Sequence, residues 1–138
     1  MKRYFILLAW LVGILLPMAW FGRFSESYQH MFNTIFGPPW MHVVTHAALF
    51  AVLAYLLAAV ISALAGGQGN GRVILLVMIA ALVIALLQEI IQLGYKGRQF
   101  GYAEVFDLGV DMAGVCLGLA LFWRRNLPRS SRKRREDE

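Results

Sequence analysis

Three short patterns supply most of the chemistry-bearing side chains in the interior of this sequence. His42 and His46 stand four residues apart, Glu89 and Gln92 three apart, and Asp107 and Asp111 four apart. On a helix such spacings bring both side chains to nearly one face, with Glu89 and Gln92 about 60° apart. Histidine beside carboxylate suits two kinds of chemistry. The pair can act as general base and general acid, or it can ligate a divalent cation, with His46, Glu89, Asp107 and Asp111 as the candidates. Two histidines alone specify no metal, and no cofactor is indicated by type. Lys96 and Arg98 follow close behind and offer positive charge to an anion, Arg98 through paired hydrogen bonds. No hydrolase, phosphatase or transferase motif accompanies these residues.

The surroundings of these groups are apolar. Hydrophobic residues make up 59% of the 138 and charged residues only 15%, too few for an ordinary soluble surface. The chain is one domain in length. Four apolar stretches reach the roughly 17–25 residues a helix needs to cross a bilayer. They are Tyr4–Phe21, Met41–Leu64, Val73–Gly94 and Val105–Trp123, with "GGQGNGR" (66–72) as a polar turn between the second and third. A run such as "VILLVMIAALVIALL" lacks the alternation of a barrel strand. The expected fold is therefore an all-α bundle of four transmembrane helices within residues 1–123. Residues 124–138 form a basic tail, expected to be disordered. Lys2 and Arg3 could open a signal peptide, but "LLPMAWFGRF" offers no small-x-small cleavage site, so the first run is read as a retained span.

Direction follows from the basic residues. Lys2, Arg3, Arg72 and the tail share one side of an even-numbered bundle, and the positive-inside rule makes that side the cytoplasm. The tail holds Arg124, Arg125, Arg129, Arg132, Lys133, Arg134 and Arg135, seven of the 13 lysines and arginines. With no interleaved aromatic, it suits anionic lipid better than nucleic acid. The 22–40 loop then faces outward. Within it Phe24, Tyr28, Met31, Phe32, Ile35 and Phe36 recur at helical spacing, Ser25 can cap, and "GPP" (37–39) stops the pattern. This predicts a short amphipathic helix in the outer interface, between the first two spans. Cys116 is the lone cysteine and forms no internal disulfide.

On this topology His46, Glu89, Gln92, Asp107 and Asp111 come from three spans yet share the outer half of the bilayer. A carboxylate near mid-membrane costs about 2.5–3.5 kcal/mol on insertion scales, which marks the cluster as functional. Gly114 and Gly118 continue the aspartate stripe as a small-xxx-small pattern, so the aspartates should face protein. The same glycines would also permit a homo-oligomer. His42 is expected at headgroup level, as a bystander. "GYKGRQFGY", with three glycines, can fold back over the cluster and bring Lys96 and Arg98 above it.

The residues resemble the VanZ-like membrane proteins. The likeness lies in "THAALF" at the start of the second span, "EIIQLGYKGRQF" ending the third, and "DLGVDMAGVCLG" in the fourth. It covers positions 40–123 and matches the family at His46, Glu89, Gln92, Arg98, Asp107, Gly114 and Gly118. It departs at Asp111, where the family usually has asparagine, and at "HVVTH", where the family has D-K-x-x-H. The resemblance implies a multi-pass protein of the bacterial cytoplasmic membrane, associated with resistance to the glycopeptide teicoplanin, and implies no known reaction.

The leading expectation is an outward-facing polar pocket that binds an envelope lipid, or a lipid-linked or lipid-tailed molecule. Lys96, Arg98 and Gln92 would meet its head group, with His46, Glu89 and Asp107 as the inner wall. Two alternatives stand beside it. One is an intramembrane enzyme acting on lipid head groups through His46, Glu89, Asp107 and Asp111. The other is a structural protein whose polar groups join helices.

Overall fold

A computed structural model describes residues 2–16, 21, 24–65, 70–97 and 99–126, the side chains of residues 95 and 96 excepted. Among these residues there are five helices and no strand: α1 Lys2–Leu15, α2 Glu26–Phe36, α3 Pro39–Leu64, α4 Asn70–Lys96 and α5 Tyr102–Asn126. The last three are long and apolar enough to cross a membrane. At 1.5 Å per residue each runs about 37–40 Å, more than the roughly 30 Å of hydrocarbon. They mark the chain as a multi-pass membrane protein.

The ends of these helices have local causes. Pro39 starts α3 in the first turn, where a missing N–H is no loss. Gly97 adopts a left-handed φ of 62° just after Lys96, the conformation that closes a helix and that glycine enters without strain. In α5 the Glu104 carboxylate accepts the Gly101 N–H at 2.8 Å, which satisfies one of the free amides at the helix start. Ser25 caps α2 as the sequence suggests, its Oγ accepting the Tyr28 N–H at 3.3 Å. Tyr28, Phe32 and Phe36 then stack along one side of α2.

Of the predicted first span, 4–21, the described residues up to Leu15 form the helix α1. α1 stops at Leu15, and Leu16 immediately precedes Pro17, whose ring disfavours helical geometry in the residue before it. Its 14 residues reach about 21 Å, short of a full crossing. The remainder of that span, residues 17–20, lies outside the described residues, as do Arg23 and the tail from 127 onward. α1 is docked on α3 by Trp10, whose Nε1–H donates to the Leu49 carbonyl at 3.0 Å.

The apolar core runs down the middle of the bundle. Phe50, Leu53, Ala54 and Leu57 of α3 meet Val73, Val77, Ala81 and Ala85 of α4, with Val115 and Leu119 of α5 and Ile14 of α1. The α4 contribution is a stripe at every fourth position, and the next member of that stripe is Glu89. On its other sides α4 exposes Leu75, Leu76, Ile79, Val83, Leu86 and Leu87. A helix apolar all round, with a narrow buried seam, is built for lipid on its outer face.

Candidate functional site

The site begins with two glycines. α3 and α5 run parallel and form the most extensive helix contact in the bundle. Gly114 lies against the backbone of Ala47, and Gly118 against that of Ala51. A Cβ at Gly114 would strike the Ala47 carbonyl and stand 2.9 Å from its Cα, and one at Gly118 would meet Ala51 in the same way. Small residues four apart thus bring two helix backbones together, a known mode of packing in membranes. The stripe is used within the chain, so a homo-oligomer would need another face.

Toward the start of both helices the same register continues with larger side chains. His46 Nδ1 lies 2.9 Å from Asp111 Oδ1, and one turn further out His42 Nε2 lies 3.2 Å from Asp107 Oδ2. Both pairs span 65 residues of sequence. The i, i+4 histidines of α3 are therefore matched rung for rung by the i, i+4 aspartates of α5. The two imidazole rings stack at a tilt, with centroids 4.3 Å apart.

The two rungs differ in exposure. In the outer one the His42 side chain is 44% exposed and that of Asp107 17%. The inner one is closed, with His46 at 5% and Asp111 at 0%. Glu89 of α4, at 2%, joins the inner rung. One ligand atom each from His46, Glu89 and Asp111 lies within 4.8 Å of the other two, and the same holds for His42, His46 and Asp107. His46 belongs to both trios. Asp111 Oδ2 is buried and has no hydrogen-bond partner among the described residues.

The sequence-predicted residues thus divide clearly. His46, Glu89, Asp107 and Asp111 are brought together, and Gly114 and Gly118 make the approach possible. Gln92 sits half-buried a turn beyond Glu89. Arg98 and the side chain of Lys96 lie outside the described residues. The expectation for His42 is corrected: it is a member of the cluster, because the register that pairs His46 with Asp111 brings His42 to Asp107. The matching four-residue spacings on α3 and α5 were the available signal. Gln88 is a further buried polar residue that sequence reasoning passed over, and its Oε1 has no hydrogen-bond partner among the described residues.

Two surface clefts lie away from this cluster. One, of about 610 Å³, is lined by Ala51, Val52, Tyr55, Leu121, Arg124 and Arg125. The other, of about 410 Å³, is lined by Lys2, Arg3, Tyr4, Val60 and Ala63. Their arginines and lysines stand at the end of the bundle opposite the outer histidine.

Chemically, the cluster offers imidazoles held in place by carboxylates, and a set of nitrogen and oxygen atoms close enough to share one cation. Comparison with family models, curated proteins and solved structures finds no match to this chain.

Proposed function

We propose that this chain is a VanZ-like protein of the bacterial cytoplasmic membrane whose outward end binds an envelope lipid, or a lipid-linked or lipid-tailed molecule such as an acylated glycopeptide. The observation that carries this reading is the graded exposure of the two His–Asp rungs. His42 and Asp107 can be reached from the surface, while His46, Glu89 and Asp111 lie beneath them. A head group would meet the outer rung, with Gln92, Lys96 and Arg98 at the end of α4 and in the connection after it. Its acyl chain would run along the exposed Trp40, Val44, Val105 and Phe106, which flank that rung. Glycopeptides with acyl tails suit such a site, which is the link to teicoplanin resistance.

The orientation belongs to the same proposal. Lys2, Arg3, Arg72, Arg124 and Arg125 share the end away from the rungs, and basic residues stay with the cytoplasm. Tyr4–Phe21 counts as the first of four crossings in this topology, α2 lies in the outer interface, and both termini are cytoplasmic. The basic tail rests on anionic lipid.

The test is expression of Arg98→Ala and Asp107→Asn chains at the wild-type level. Co-purified lipid is identified by mass spectrometry, and teicoplanin susceptibility is measured in the same cells. Both variants should lose bound lipid and resistance together. Survival of both properties in both variants sinks the reading.

A second reading, acid–base chemistry on a head group, draws on one observation: a carboxylate fixes each imidazole. Asp107 holding His42 at the surface is an arrangement that orients a general base. Turnover of a supplied phospholipid by wild type but not by His42→Ala would favour it.

A further inference from the structure

The inner rung has a property that lipid binding at the outer rung does not use. His46, Glu89 and Asp111 come from α3, α4 and α5 respectively, and all three are buried. Buried ionisable groups are retained in a membrane interior when they are paired or coordinate a metal.

We propose that His46, Glu89 and Asp111 form a binding site for one first-row divalent cation, zinc or manganese. With a neutral imidazole the two carboxylates balance such an ion completely. The geometry is close to what it needs. Neighbouring ligand atoms on one ion, at bonds of about 2.0–2.2 Å, stand roughly 3–3.5 Å apart. The His46 Nδ1 to Asp111 Oδ1 separation is already 2.9 Å, and the trio lies within 4.8 Å overall. Entry of the ion displaces the proton shared across that contact, as metal binding at histidine commonly does.

Two further observations point the same way. Asp111 Oδ2 is wholly buried and has no hydrogen-bond partner among the described residues, so a donor atom stands ready. The ligand atoms also continue toward the surface. His42 and Asp107 are partly exposed, and with His46 they form a second trio of ligand atoms within 4.8 Å. An ion can therefore pass from the outer trio to the inner one with His46 as a common ligand. The imidazole selects zinc, manganese or iron over magnesium and calcium, which prefer all-oxygen sites. A bound ion would tie three helices at one point, where packing alone joins α4 to α3 and α5 less extensively than α3 joins α5.

The experiment uses the full chain in detergent, purified without chelator. Metal content is measured by mass spectrometry, and the EDTA-stripped protein is then titrated with zinc chloride or manganese chloride at fixed pH. One equivalent per chain is expected, with a rise in melting temperature. Asp111→Asn and Glu89→Gln should each weaken affinity at least ~10-fold and abolish the melting shift. Asp107→Asn should take up its ion more slowly, since it lies on the entry path, yet hold it at an affinity within a few-fold, since it lies outside the inner trio. Should one inner variant fail to fold, the other and the wild-type melting shift still decide the matter. Wild-type chain with no stoichiometric metal and no melting shift overturns the site. So does affinity that follows Asp107 and not Asp111. Lipid retained in Asp111→Asn after the metal is lost separates this inference from the lipid-binding reading, which Arg98→Ala and Asp107→Asn test independently.

Discussion

Asp111 has no exposed surface, and one of its oxygens meets His46 Nδ1 at 2.9 Å. Replacing it by leucine strips His46 of that partner while leaving the imidazole buried. The expected loss is about 1–3 kcal/mol, the penalty of an unsatisfied buried group. Replacing both residues by leucine should restore much of that stability, because a buried polar pair and a well-packed apolar pair of similar size are often close in energy. Thermal melting of the four chains in one detergent makes the double-mutant cycle. His42→Ala should change stability by no more than about 1 kcal/mol, since its pair with Asp107 is partly in solvent. The burial of Asp107 and Asp111 was legible beforehand, because glycines at the same helical phase show which way that face turns. The partnership of His42 was not. It depends on the relative rotation and sliding of two helices, and no local pattern in either one states it.

At the level of the helices, the close approach of α3 and α5 rests on Gly114 and Gly118. Gly118→Val would drive a branched side chain into the Ala51 backbone, 3.0 Å from its Cα at the first added carbon. The obstacle is main chain, which cannot turn aside as a side-chain tip can. The two helices must part, and the His–Asp rungs part with them. A loss of about 1–3 kcal/mol or more is expected from overpacking, read as a lower melting temperature in detergent. Metal and lipid binding at the distant rungs should fall in the same variant. The three long spans were readable to within about three residues, because uninterrupted hydropathy over such lengths has one structural meaning in lipid. The first span was less so. Hydropathy runs straight through 4–21, whereas α1 ends at Leu15, two residues ahead of Pro17 in the sequence.

The bundle as a whole has two chemically different ends. Among the described residues, His42, His46, Glu89, Asp107 and Asp111 gather at one, and Lys2, Arg3, Arg72, Arg124 and Arg125 at the other. The proposed orientation is tested by cysteines placed one at a time in a Cys116→Ala chain. Ser25→Cys should react with a membrane-impermeant maleimide on intact cells. Arg125→Cys should react only after lysis. Reversed labelling would turn the protein over and bring the rungs to the cytoplasmic side.

The parallel pairing of α3 with α5 also bears on how the protein is made. Helices that run the same way cannot be consecutive spans, so α4 must cross back before α5 can arrive. During synthesis His42, His46 and Glu89 therefore enter the membrane ahead of Asp107 and Asp111. For that interval the half-built bundle holds polar side chains without the helix that completes their pairing. The last span thus serves as the closing strut of assembly, and chains that stall before residue 102 carry an unfinished polar seam.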